Sequence, residues 1–166
     1  MRSISGTTSI LILNNYFNFH GLKVLDLFSG TGNISYEFGS RGAGPITSVD
    51  GDFGCVNFIK KTATDLDLDI TALKSDVFKF LEKHIGNYDI IFADPPYGMS
   101  QKEFEKIVEL IFERELLDEE GMLVVEHSKY TKLDHMANFS FQKNYGGSVF
   151  SFFVPKLRDE SEKDEG

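Results

Sequence analysis

The chain has 166 residues, 41% hydrophobic and 26% charged, a balance that suits one globular domain with a real core and excludes fibrous and low-complexity classes. Its formal net charge of −9 argues against tight binding to naked nucleic acid, where lysine and arginine must displace counterions. One cysteine, Cys55, gives no internal disulfide or thiolate cluster, the longest apolar run (Ile10 to Leu13) is too short to span a bilayer, and Met1-Arg2-Ser3 lacks the apolar stretch of a secretory signal. A cytoplasmic protein without membrane or metal partners is the expectation.

In chain order, Ile10 to Phe19 is apolar and aromatic at mixed spacing and reads as a short helix lying on a sheet, ended by Gly21. Lys23 to Leu27 reads as a first strand, with a helix from Asn33 to Ser40 closed by Arg41-Gly42. A second strand, Ile46 to Val49, ends at Asp50, and Val56 to Ala63 is helical with Val56 and Ile59 on its apolar face. Ile70 to Leu73 is a third strand; the helix after it, Val77 to Ile85, carries Val77, Phe78, Leu81 and Ile85 near one face. Tyr88 to Ala93 forms a fourth strand that stops at Asp94-Pro95-Pro96, because proline cannot donate to a ladder. Ser100-Gln101-Lys102-Glu103 is a capping box opening a helix through Phe104, Ile107, Val108 and Ile111. Met122 to Val125 is a fifth strand, and Phe139 to Lys143 with Val149 to Val154 form an antiparallel pair joined across Gly146-Gly147. The charge-rich tail Arg158 to Gly166 is expected to be disordered.

Strand and helix in succession predict an α/β fold, a mostly parallel sheet covered on both faces, whose ligands sit beyond the carboxyl ends of the strands. The informative residues fall there: Asp26 to Gly32 after the first strand, Asp50 after the second, Asp76 after the third and Asp94 after the fourth. Singly, such aspartates are common caps and turn residues. Together they outline a pocket.

A glycine turn followed about 20 residues later by an acidic strand end is the pattern for an adenosine ribose, whose hydroxyls donate to the carboxylate; Asp50 fits that role. A nicotinamide dinucleotide is one candidate. Gly30-Thr31-Gly32-Asn33-Ile34-Ser35 lacks the third glycine of that fingerprint, and Asp26 repels a diphosphate but attracts an ammonium. A ligand that joins adenosine to a cationic amino acid matches better, and that ligand is S-adenosylmethionine.

Asp26-Leu27-Phe28-Ser29-Gly30-Thr31-Gly32, Ser40-Arg41-Gly42-Ala43 and Asp94-Pro95-Pro96-Tyr97 resemble the RsmD family of 16S ribosomal RNA guanine-N2 methyltransferases, within the Rossmann-like class I methyltransferases. The resemblance covers roughly residues 20 to 155 and rests on the pairing of the two motifs. It implies a three-layer fold with a seven-stranded sheet whose last pair is antiparallel, Tyr145-Gly146-Gly147-Ser148 resembling the closing hairpin. It also implies a cofactor touched by Asp26, Gly30, Gly32, Asp50, Asp76 and Val77, and ribosomal RNA within a small-subunit particle as partner; Ser29, Gly51 and Asp94 are expected beside that cofactor, and Phe28 either lines its pocket or merely packs. The family's basic N-terminal hairpin and Arg-Pro-Thr segment have no counterpart in Met1 to Ile10. A single methyltransferase domain over residues 1–157 is therefore expected, with 1–19 a shortened N-terminal segment.

Residue types at Asp94-Pro95-Pro96-Tyr97 suit methyl transfer to a planar amine. The lone pair of a nucleobase amine is delocalised into the ring, so catalysis is mainly positioning. Asp94 and the Pro95 carbonyl can each accept one amine hydrogen, Pro95 and Pro96 keep that carbonyl rigid, and Tyr97 can stack on the base. The same tetrapeptide suits a DNA adenine or a protein amide, and a non-catalytic module that only binds S-adenosylmethionine is the remaining alternative. Glu126, at the end of the fifth strand, either orders the substrate side or is solvated. His20, His84, His127 and His135 lack the spacing of a metal site or triad and are expected at the surface or in hydrogen bonds. Lys129, Lys132 and Lys143 either meet phosphate or face solvent.

Overall fold

The computed structural model describes residues 13–14 and 18–156. Most of the helix expected over Ile10 to Phe19, and the tail from Arg158, lie outside them. Leu13 and Phe19 are described, and both are buried.

Eleven elements follow one another: β1 (Val24–Leu27), α1 (Asn33–Ser40), β2 (Ile46–Asp50), α2 (Phe53–Asp65), β3 (Ile70–Lys74), α3 (Val77–Lys83), β4 (Tyr88–Ala93), α4 (Gln101–Glu113), β5 (Leu117–Ser128), β6 (Phe139–Tyr145) and β7 (Ser148–Phe153). The strands form one seven-stranded sheet in the order β3-β2-β1-β4-β5-β7-β6. The first five are mutually parallel, and β7 runs antiparallel to both β5 and β6. Winding proceeds outward from β1 through β2 to β3, then jumps back to β4 on the other side of β1. The boundary between β1 and β4 is the topological switch point, where such sheets open a crevice.

Both faces are covered, so the central strands β1 and β4 are buried along nearly their whole length instead of alternating. On one face Leu25, Leu27, Ile91, Leu123 and Val125 pack against Leu81 of α3 and Phe104, Ile107, Val108 and Ile111 of α4. On the other, Val24, Ile46, Ile90, Phe92, Val124, Phe150 and Phe152 meet Ile34 and Phe38 of α1 with Leu13 and Phe19. Val56 and Ile59 of α2 cover Ala72 of β3. Burying such side chains contributes about 1.5–3 kcal/mol apiece.

The capping box of α4 is present in full: Ser100 Oγ accepts from Glu103 N and Glu103 accepts from Ser100 N. Three boundaries differ from the sequence reading. Helix α2 starts at Phe53, one turn earlier than expected, because Asp52 caps it by accepting from Cys55 N at 2.8 Å. Helix α3 ends at Lys83, so Ile85 lies outside it at 88% exposure; His84 turns the chain into an extended conformation and bonds Tyr88 Oη with its ring. Strand β5 begins at Leu117, not Met122, through an exposed acidic stretch and Gly121. A side chain at Gly121 would stand 3.0 Å from the carbonyl oxygens of Asp118 and Tyr88, so only glycine lets β5 pass β4 at the register shift there.

Candidate active site

The turn after β1 is built from left-handed backbone. Phe28, Gly30 and Gly32 have φ of 58°, 55° and 90°. Glycine adopts that conformation freely, whereas at phenylalanine it costs about 1–3 kcal/mol and clusters at functional sites. Ser29 fastens the turn to β2: its N–H and its hydroxyl both donate to the Val49 carbonyl, at 3.0 and 3.2 Å. Gly32 has no space for a side chain, since an added Cβ would lie 2.7 Å from the Tyr36 ring and 2.8 Å from Ile59. It forms the N-cap of α1 and offers no side-chain cap.

Asp50 links the ends of β1 and β2. Its Oδ2 accepts from Gly30 N at 2.8 Å and its Oδ1 from Asp52 N at 2.8 Å. A carboxylate oxygen has two acceptor positions, so each keeps capacity for a further donor. A rigid, half-buried carboxylate beside a glycine turn has the donor-accepting chemistry that two neighbouring ribose hydroxyls require. Gly51 follows it, exposed.

Asp26 occupies a different position from the other strand-end acids. It lies one residue inside β1, 1% exposed, where it accepts from Ser35 Oγ at 2.6 Å. Because the Ser35 proton points at Asp26, the Ser48 hydroxyl must donate into Ser35 Oγ, at 2.7 Å. The three form a buried polar chain tying β1, α1 and β2 together beneath the glycine turn. Asp76 caps α3 by accepting from Lys79 N at 3.0 Å, and Val77 behind it is buried.

Beyond β4, Asp94 is half-buried, Pro95 buried, and Pro96 exposed, while Tyr97 stands 94% exposed. Gly98, at φ 94°, turns the chain into the α4 cap. The tetrapeptide lines a cavity of about 550 Å³ together with Glu126, His127 and Ser128 from the end of β5 and Gly147 and Ser148 from the β6–β7 turn. Tyr97 and Tyr130, 94% and 81% exposed, both line it. The register explains the proximity: Leu27 of β1 pairs with Ala93 of β4, and Ala93 pairs with Val125 of β5. Phe28, Asp94 and Glu126 therefore stand at one level on three adjacent strands, Glu126 still within β5.

Glu126 is 5% exposed, which decides against solvation. His127 is buried and hydrogen-bonded, as expected, with Nε2 at 2.7 Å from Ser151 Oγ and Nδ1 at 2.8 Å from the Ser128 carbonyl. The carbonyl can only accept, so Nδ1 carries the proton and Nε2 accepts from Ser151. Burial pushes this imidazole below its usual pKa; the Ser128 carbonyl opposes that shift and the Lys132 charge adds to it. Tyr130, Thr131 and Ser148 were not foreseen as pocket residues, and no local pattern marks them. Glu126-His127 did carry a signal, two polar residues closing a buried apolar strand. Among the described residues no group of three or more His, Cys, Asp or Glu is placed to hold a metal, and no helix is long and apolar enough to cross a membrane.

The family described as Conserved hypothetical protein 95 matches residues 9–154. Among curated relatives, the chain is 30% identical over 147 residues to the candidate rRNA methyltransferase YlbH of Bacillus subtilis, covering 80% of this chain and 79% of that one. It is 25% identical over 138 residues to the ribosomal RNA small subunit methyltransferase D of Haemophilus influenzae, covering 80% and 70%. Among solved structures, the Thermus thermophilus 16S rRNA N2 G1207 methyltransferase RsmC, in complex with AdoMet and guanosine, shares the fold with a TM-score of 0.77. Identity there is 20%, over 94% of this chain and 44% of that one.

Proposed function

This chain belongs to the Conserved hypothetical protein 95 family, the RsmD family, and from that premise we propose that it methylates the exocyclic N2 of a guanine in 16S ribosomal RNA. It is an S-adenosylmethionine-dependent methyltransferase. The proposed substrate is RNA held in a small-subunit particle.

One observation carries the reading: the glycine turn and Asp94-Pro95-Pro96-Tyr97 leave neighbouring parallel strands, paired at Leu27 and Ala93, on the same edge of the sheet at the switch point. S-adenosylmethionine, when bound, supplies an electrophilic methyl group on a sulfonium. Asp50 would hold its ribose hydroxyls, with the Gly51 backbone alongside. Asp76 and the Val77 backbone would meet its adenine, and Phe28, Ser29, Gly30 and Gly32 would let the backbone close on its amino-acid end. Asp26 acts from beneath that turn, setting its shape through Ser35 and adding negative charge under a cationic ligand.

On the substrate side the work is orientation. Asp94 and the Pro95 carbonyl each accept a hydrogen from the guanine amine, turning its lone pair toward the methyl group. Tyr97, free to meet a base on its exposed face, stacks on the extruded guanine; stacking contributes about 1–3 kcal/mol per base. Incubation of undermethylated small subunits with methyl-labelled S-adenosylmethionine, followed by mass spectrometry of the nucleosides, tests the proposal. N2-methylguanosine is the expected product; label in no RNA, or only in DNA or peptide, contradicts it.

A further inference from the structure

We propose that Glu126 is the residue that selects guanine, by accepting the N1–H of the base whose N2 amine is held at Asp94. The inference rests on the function proposed above and deepens it from the amine to the identity of the base.

Asp94 and Glu126 each stand one residue beyond the Ala93–Val125 pair on adjacent parallel strands, and both line the same cavity. Guanine presents two neighbouring kinds of donor on its Watson–Crick edge, the N2 amine and N1–H. Adenine and cytosine also carry an exocyclic amine, but the adjacent ring nitrogen is an acceptor. A carboxylate beside the amine site therefore attracts guanine and repels the other two. Glu126 is the more sheltered of the two acids at 5% exposure, where facing an acceptor lone pair is costlier than in water.

Two other polar side chains of the cavity, His127 and Gln101, are committed elsewhere. His127 has its Nδ1–H on the Ser128 carbonyl and its Nε2 on Ser151. The Gln101 amide donates to Glu105 and to the Lys132 carbonyl, and its oxygen accepts from Lys132 N. Asp94 and Glu126 also have partners within the protein. A carboxylate nevertheless offers about four acceptor positions, so it can take a base N–H without giving up an existing contact.

The test uses 2-aminopurine, which keeps the 2-amine of guanine but has an unprotonated N1. Once the methylated guanine has been mapped, small subunits are reconstituted with guanine or 2-aminopurine at that position, and transfer is compared for the wild type, Glu126→Gln and Glu126→Asp. The wild type should prefer guanine by on the order of tenfold to a hundredfold. In Glu126→Gln, whose amide can donate to the bare N1, the preference should collapse to within about threefold or invert, with S-adenosylhomocysteine affinity unchanged. Glu126→Asp should be slower but keep the preference. A Glu126→Gln protein that loses both substrates equally, or keeps the wild-type ratio, overturns the assignment. So does a wild type that accepts 2-aminopurine as readily as guanine, a result independent of how any variant folds. Absence of wild-type transfer to any guanine would instead remove the proposed function, and this inference with it.

Discussion

Two carboxylates at the ends of the strands on either side of β1 carry different burdens, and single substitutions should separate them. Asp50 joins the glycine turn to β2, on the proposed cofactor side, whereas Asp94 lines the cavity proposed for the substrate. Asp50→Ala should weaken S-adenosylhomocysteine binding by about 1–3 kcal/mol in a calorimetric titration, the usual cost of leaving polar ligand atoms unpaired. Asp94→Ala should leave that affinity near wild type and abolish label transfer. Equal losses of affinity in both variants would contradict the division. His127 and His84 supply a pH dependence. Burial is the main cause lowering both, helped at His84 by the Lys23 and Arg114 charges and at His127 by Lys132, against the Ser128 carbonyl. The unfolded chain, with histidine near its ordinary pKa of about 6.5, takes up these protons first. Their contribution to stability is thus full above about pH 6.5 and is lost as pH falls toward the lower folded values. Thermal melts from pH 7.5 to 5.5 should show a falling midpoint, flattened in a His84→Gln, His127→Gln double variant; an unchanged slope would remove these groups as the cause. Of the site, the strand-end aspartates and the proline tetrapeptide were legible in sequence because each follows a recognisable strand. Tyr130 and Ser148 were not, since they reach the cavity only through the path of the loop after β5 and the closing hairpin.

At the scale of elements, boundaries followed local chemistry wherever nothing distant interfered. Helix α1 and strand β4 have the limits that the sequence suggested, Asn33–Ser40 and Tyr88–Ala93. The α4 capping box was equally plain, and Ser100→Ala should cost about 0.5–2 kcal/mol in denaturant unfolding, whereas an unaltered midpoint would mean the box adds nothing. Where tertiary contacts decide, periodicity misled. Ile85 fits the α3 stripe, yet the chain leaves the helix at His84, whose ring stacks on Phe80 at 4.3 Å. Strand β5 extends past Gly121 because β4 is close enough to exclude any side chain, a fact about a neighbour 30 or so residues away. Strand β7 is buried along its whole length, flanked by β5 and β6 with helices and loops over its faces. Phe152 is fully buried there and stacks on Phe141 at 4.3 Å. Phe152→Ala should destabilise by about 3–5 kcal/mol, read from the denaturant midpoint; a loss below about 1 kcal/mol would show that the hairpin's core contact matters little.

Across the whole molecule, winding order brings separate motifs to one edge of the sheet. Glycines at 30 and 32 and the prolines at 95 and 96 are far apart in sequence, but the return from β3 to β4 sets their strands side by side. Alternating strands and helices reveal the parallel sheet; its switch point follows from the strand order, not from periodicity. The net charge of −9 is a property of the whole chain, while the Lys129 ammonium lies 5.3 Å from the ring of Tyr130, a residue that lines the cavity. Cofactor and substrate edges are expected to form one crevice between β1 and β4. A crystal structure with S-adenosylhomocysteine tests it most directly. The ligand should span from Asp50 to the glycine turn with its sulfur turned toward Asp94; a ligand bound elsewhere, or Asp94 facing away from the sulfur, would contradict the account.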